Sequence, residues 1–179
     1  SFGTFNTGKL RVRGIELSAA GNITDKWSVQ GGVTLMKSRV LKSSDVSLTT
    51  AQKALGATNI GKALANFAKV QAEFQTRYQL TEKLALGGAV KHKSRRYGGQ
   101  PDAAAAFTQT ATGFTYNQPV PGYTIADLFA EYRINSHLDL RLNVNNVTAK
   151  KYYLAVYRSG TFLYQGDARQ IVGTLNLKF

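Results

Sequence analysis

Seven stretches of this chain alternate apolar and polar residues with a period of two, which restricts each to a strand with one apolar and one polar face. Around Gly14 to Ala20, Ile15, Leu17 and Ala19 oppose Glu16 and Ser18. From Trp27 to about Val40, Trp27, Val29, Val33 and Leu35 oppose Ser28, Gln30, Gly32 and Thr34. The third stretch, Phe67 to Tyr78, sets Val70, Ala72 and Phe74 against Gln71, Glu73 and Gln75. In the fourth, Leu84, Leu86 and Val90 oppose Lys91 and Lys93. The fifth, Ala126 to Ile134, sets Leu128 and Tyr132 against Asp127, Glu131 and Arg133, and the sixth, Leu138 to Val144, sets Leu140 and Leu142 against Asp139 and Arg141. The last runs from Arg169 to Phe179, with Ile171, Leu175 and Leu177 opposite Gln170, Thr174 and Asn176.

A soluble β-sandwich would alternate in the same way, so the connections decide. Residues 21–26, 79–83 and 135–137 are short turns, whereas residues 41–66, 98–122 and 145–168 are long loops, and the two kinds alternate strictly. Outer-membrane barrels are organised like this, with tight periplasmic turns and long outer loops. The predicted fold is therefore all-β, an antiparallel transmembrane β-barrel with long outer loops. With the short turns periplasmic, the second, fourth and sixth strands run outward. Trp27, Tyr78, Tyr132 and Phe179 then fall at the periplasmic ends of apolar faces, and Tyr97 and Tyr123 at outer ends, as aromatic girdles would. Single-chain bacterial barrels close with an even number of strands. Residues 1–9 alternate too weakly to supply an eighth, so the chain reads as part of something larger. Alone, it would leave two unpaired sheet edges, an aggregation hazard.

Composition adds charge and excludes chemistry. Across 179 residues the formal net charge is +13, which calls for an acidic partner. There is no cysteine, so disulfides and thiolate metal sites are excluded. His92 and His137 stand alone, without a second ligand at metal spacing. No phosphate loop, nucleophile elbow or catalytic pair is present, so neither enzyme nor cofactor is expected. No stretch approaches the roughly 18 apolar residues of a membrane-spanning helix, which leaves a barrel open. Two weaker signals lie in the loops. Thr49 and Thr50 could start a short helix that Gly56 stops, and residues 101–107 form a helical turn or a loop.

Three longer motifs carry a resemblance. "GKLRVRGIELSAAGNITDKWSVQGGVT" with "GKALANFAKVQAEFQTRYQLTEKLALGGAVKHKSRRYGG" is similar to the late barrel strands of TonB-dependent outer-membrane receptors. "PGYTIADLFAEYRINSHLDLRLNVNNVTAKKYY" resembles that family's penultimate region, and "GDARQIVGTLNLKF" its terminal strand with a final Phe. The resemblance spans nearly the whole chain and looks closest to ferric-siderophore receptors of the catecholate type. It implies that residues 1–179 are the C-terminal portion, about the last seven strands, of a 22-stranded barrel whose plug domain and earlier strands lie outside this sequence. It also implies a ferric siderophore as ligand, and TonB as a partner acting through the plug. Val147, Thr148 and Ala149 depart from the family's frequent Leu-Phe-Asp, and the family's common proline near Phe67 and Ala68 is missing. Both bear on substrate and not on architecture.

A ferric catecholate is anionic and aromatic, so cations and phenol rings suit it. Lys91, Lys93 and Arg95, followed by Arg96 and Tyr97, occupy the outer end of the fourth strand. Lys150, Lys151, Tyr152, Tyr153, Tyr157 and Arg158 lie in the last outer loop, with Tyr164 on its return. Asn145 and Asn146 end the sixth strand, where Asn tolerates the turn geometry. Lys37, Arg39 and Lys42 fall where lipopolysaccharide phosphates would lie, and they read as lipid anchors, as could Arg96. Lys69, Glu73, Arg77, Asp127, Glu131, Arg133 and Arg141 face the lumen, to pair with each other or with a plug. Two alternatives remain at this level: a small complete barrel with a structural or adhesive role, and a soluble basic β-protein binding nucleic acid. The loop rhythm, terminal Phe179 and aromatic placement favour the receptor, for which no nucleic-acid partner is expected.

Overall fold

The computed structural model describes residues 8–43, 50, 54, 57, 60–98, 118–156 and 162–179. The elements in chain order are β1 (Gly8–Thr24), β2 (Trp27–Ser43), β3 (Val70–Gln79), β4 (Leu84–Lys93), β5 (Arg96–Gly98), β6 (Gln118–Val120), β7 (Tyr123–Arg133), β8 (Leu138–Asn145), β9 (Tyr153–Val156), β10 (Leu163–Gln165) and β11 (Gln170–Leu177). Seven of them form one sheet in the order β1-β2-β3-β4-β7-β8-β11, and these are the seven alternating stretches. All its pairings are antiparallel. The predicted long loops 98–122 and 145–168 hold two extra ribbons, β5–β6 and β9–β10, too short to show a period. Thr50, Ala54 and Ala57 are helical, while Thr49, Gly56 and residues 101–107 lie outside the described residues.

Local chemistry closes the short turns, all at one end of the sheet. Asp25 and Lys26 alone separate β1 from β2. Between β3 and β4, the Thr81 hydroxyl accepts from the Leu84 amide at 3.0 Å, and between β7 and β8 the Asn135 side chain accepts from the His137 amide at 2.9 Å.

Register gathers the apolar positions on a single face. Leu17, Val33 and Ala72 stand opposite one another, as do Gly31, Phe74, Val90 and Ala126, and Leu128, Val144 and Ile171. These side chains are bare: Leu17 is 63 %, Phe74 50 %, Leu128 52 % and Ile171 70 % exposed. In water so large an apolar surface would aggregate; against lipid chains it is at home. From Trp27 to Leu35 this face is about 27 Å long at about 3.4 Å per residue, the reach of a tilted strand across the hydrocarbon layer.

Trp27 and Tyr78 are register partners at the short-turn end of that face, and the Trp27 indole N–H donates to Thr76 Oγ1 at 2.7 Å. Tyr132 lies at the same end of β7. Tyr123 departs from the girdle expected of it. Paired with Lys93, it points from the polar face, and its ring packs under the loops.

The opposite face is a polar lattice. Glu131 takes Arg77 and Arg141, each at 3.0 Å, and Asp127 takes Lys91 at 3.4 Å. Asp139 takes Lys178 at 2.6 Å and Arg133 at 3.9 Å. These half-exposed pairs contribute at most about 1 kcal/mol each and mainly fix side-chain direction.

β1 is longer than the sequence suggests, beginning at Gly8 and not Gly14. The reason is a change of face. Below Gly14 the apolar residues are Ile15 and Leu17; above it they are Leu10 and Val12, on the other parity, which breaks the alternation at Gly14. The strand continues with its polarity reversed. β7 likewise starts at Tyr123, three residues before Ala126, whereas β3 starts at Val70, three after Phe67. Most buried side chains of the described residues, among them Ser38, Val40, Ala68, Arg96, Val120, Asn146, Tyr152 and Val156, lie at the long-loop end. The packed core is a cap over the sheet's outer rim.

Candidate functional site

Arg96, the first residue of β5, holds this cap together. It is 0 % exposed. Its guanidinium donates to the carbonyls of Tyr153 and Leu154 and, at 3.3 Å, to the Asn66 side-chain oxygen. That same oxygen accepts from the Val156 amide at 3.3 Å, and the Asn66 amide donates to the Tyr97 carbonyl at 2.8 Å. Asn66 has φ 55°, a left-handed conformation that Asn tolerates well. Three outer segments thus meet at one cation. A lipid anchor on the outer wall, the alternative raised for Arg96 from the sequence, is excluded by this burial.

Beside it lie two phenol rings. Tyr123 and Tyr152 pack with centroids 4.5 Å apart and planes at 46°, and Arg96 sits 5.8 Å from the Tyr123 centroid, a cation–π distance. Tyr152 lies on Gly166, where an added β-carbon would come within 2.2 Å of the ring. Burial pushes the Tyr152 pKa up, Asp167 and Tyr123 adding to the effect, so the phenol stays neutral at physiological pH.

Asn146 fastens the last outer loop to the sheet. It has φ 49°. Its side-chain amide donates to the carbonyls of Lys150 at 2.8 Å and Asp167 at 3.0 Å, and its oxygen accepts from the Lys150 amide at 2.9 Å. Its own amide donates to Asp127 Oδ1 at 2.7 Å. In the full-length protein Asn146→Ala is expected to cost about 2 kcal/mol, from buried groups left without partners and a β-branch-free but strained left-handed backbone. Hydrogen exchange should show this as faster exchange at Lys150 and Gly166, with the β3 and β4 amides unchanged.

The cap sorts the candidate ligand residues. Lys93 is half-buried at the outer end of β4, opposite Tyr123. Lys91, one step lower on the polar face, is engaged by Asp127. Arg95, Lys150, Lys151, Tyr153 and Tyr164 are exposed at the rim, and Tyr97 is half-buried in the β5–β6 ribbon. Tyr152 is only 8 % exposed, so its ring serves packing. Tyr157 and Arg158 lie outside the described residues. The structure therefore brings Lys93, Arg96, Tyr123 and Tyr152 together and leaves Arg95, Lys150 and Lys151 exposed at the same end. Asn66 was singled out by no sequence signal and Tyr123 only as a girdle aromatic, since both act through partners distant in sequence.

Three comparisons bear on this arrangement. The family described as "TonB dependent receptor-like, beta-barrel" matches residues 1–147. The chain is 32% identical over 172 residues to "Probable TonB-dependent receptor BfrD" of Bordetella pertussis, covering 96% of this chain and 21% of that protein. It is 30% identical over 180 residues to the catecholate siderophore receptor Fiu of Escherichia coli K12, covering 99% and 21%. The crystal structure of the siderophore receptor PiuA from Acinetobacter baumannii superposes with a TM-score of 0.77 at 28% identity, covering 96% of this chain and 22% of that one. The chain spans about a fifth of the length of the curated relatives it matches.

Proposed function

Because this chain belongs to the TonB-dependent receptor family of outer-membrane β-barrels and forms a C-terminal part of the barrel, we propose that the whole protein takes up a ferric siderophore of the catecholate class. Residues 1–179 contribute wall, outer loops and part of the binding mouth. The reading is carried by one observation: at the loop end, cations that meet no carboxylate among the described residues share the rim with a packed aromatic cluster. Arg95, Lys150 and Lys151 are exposed there, Lys93 lies half-buried beside Tyr123, and Tyr153 and Tyr164 present phenol rings. Such a mouth draws in a polyanionic, aromatic iron complex by field and by ring contact. The catecholate specificity named for Fiu supports the same class.

No covalent step is required. A barrel has no energy source of its own, so TonB engaging a plug supplies the drive for inward release. The lumen-facing lattice of Arg77, Glu131 and Arg141 offers that plug a polar wall to slide against.

The test uses the full-length receptor and iron-loaded siderophores of different charge. Binding of a ferric catecholate should weaken at least tenfold when Lys93, Lys150 and Lys151 are all changed to Gln, and it should weaken with rising salt. A neutral or cationic hydroxamate complex bound better, with no loss in the triple variant, would overturn the catecholate reading.

A further inference from the structure

The polarity reversal at Gly14 puts basic residues on the outer wall. Above Ile15 and Leu35, the last apolar pair on the membrane face of the β1–β2 hairpin, register continues with Arg13 opposite Lys37 and Arg11 opposite Arg39. A bulge follows in β2, and Lys9 then stands opposite Lys42. Three successive rows of directly opposed cations therefore share the face that, one step lower, meets lipid chains. All six side chains are exposed, and none meets a carboxylate among the described residues.

Like charges directly opposite each other destabilise a sheet, so three such rows in sequence call for a counter-charge from outside. The rows begin about 7 Å along the strand above the last apolar pair and climb by a similar step each time, through the level of the headgroups. Among the described residues no other strand pair carries opposed cations on this face. On the same face β3 ends at Val70, β4 at His92 and β7 at Thr124. Exposed Arg169 continues the same face just before β11, but it stands singly; the opposed rows belong, among the described residues, to one hairpin. Inward, Val40 is buried, and Ser38 accepts from the Leu64 amide at 3.0 Å, so the hairpin is braced from behind.

We infer that the outer wall of the β1–β2 hairpin binds the phosphate groups of outer-leaflet lipopolysaccharide, with Arg11, Arg13, Lys37 and Arg39 as the phosphate ligands and Lys9 and Lys42 above them. Arginine dominates the lower rows, and its planar fork suits two phosphate oxygens at once. The aliphatic stems of Arg13 and Lys37 continue the apolar face while their heads reach the phosphates. The site is separate from the mouth, so this inference stands whether or not the siderophore reading does.

The test uses the full-length receptor in nanodiscs containing either lipopolysaccharide, the same lipopolysaccharide with its phosphates removed, or phosphatidylglycerol in phosphatidylethanolamine. Native mass spectrometry counts the retained glycolipid. The wild type should retain phosphorylated lipopolysaccharide at least tenfold better than the dephosphorylated form, and Arg11→Gln, Arg13→Gln, Lys37→Gln and Arg39→Gln combined should abolish the difference. Should the combined variant fail to assemble, Arg13→Gln with Lys37→Gln gives a partial loss, and Arg13→Lys, which keeps the charge and gives up only the fork, a smaller one. Siderophore affinity should not change in any of them. Equal retention of the dephosphorylated form, unaltered retention by both variants, or equal replacement by phosphatidylglycerol would each overturn the assignment.

Discussion

Replacing Arg96 with alanine in the full-length receptor is expected to loosen the whole outer cap while leaving the barrel wall intact. The guanidinium is fully buried and serves two carbonyls and the Asn66 oxygen, which would be left facing a cavity. Losing charge-assisted bonds to acceptors that water cannot reach costs about 3 kcal/mol. Local opening would then rise about a hundredfold. Hydrogen exchange reads this directly: the amides of Asn66 and Val156, which depend on the same junction, should lose protection. Amides of β3, β4 and β7 should keep theirs. Lysine should not restore it, because one ammonium cannot reach three acceptors arranged for a planar fork. Retained protection at Asn66 and Val156 in the alanine variant would show that the cap is held by something else.

The second large effect concerns the wall. Leu128 lies midway along the apolar face of β7, between Thr124 and Tyr132. An arginine there must place its charge at the centre of the hydrocarbon layer, at a cost of about 2–4 kcal/mol, whereas the same change at Thr124, near the outer interface, should cost about 1 kcal/mol or less. Denaturant unfolding of the full-length protein in lipid vesicles separates the two. Equal costs at both depths would mean that this face does not meet lipid.

The wall was legible in the sequence because its information is local. Each strand declares its two faces through its own alternation, and Leu128 or Phe74 needs no distant partner to be assigned outward. The short-long loop rhythm then gave the direction, and the motifs gave the family. The cap was not legible, for the opposite reason. Arg96 reaches Leu154 across 58 positions, and Asn66 reaches Val156 across 90, so nothing near either residue in the chain announces the bond. Tyr152 read as a ligand residue of the last outer loop and Tyr123 as a girdle aromatic until folding laid one on the other. The basic rows were half visible: Lys37, Arg39 and Lys42 stood out, but Arg11 and Arg13 sat where the alternation broke, and register was needed to set the two groups face to face.

The junction at Arg96 also limits how such a receptor can be re-engineered. A loop is commonly treated as an exchangeable part, to be cut from one relative and spliced into another at its stems. Here three excursions share a single anchoring point, with Asn66, Arg96 and the 153–156 backbone each supplying a piece. Transplanting any one of them would deliver a plug to the wrong socket. A chimaera with altered specificity would need all three moved as a set, and natural variation in these segments should be correlated for the same mechanical reason.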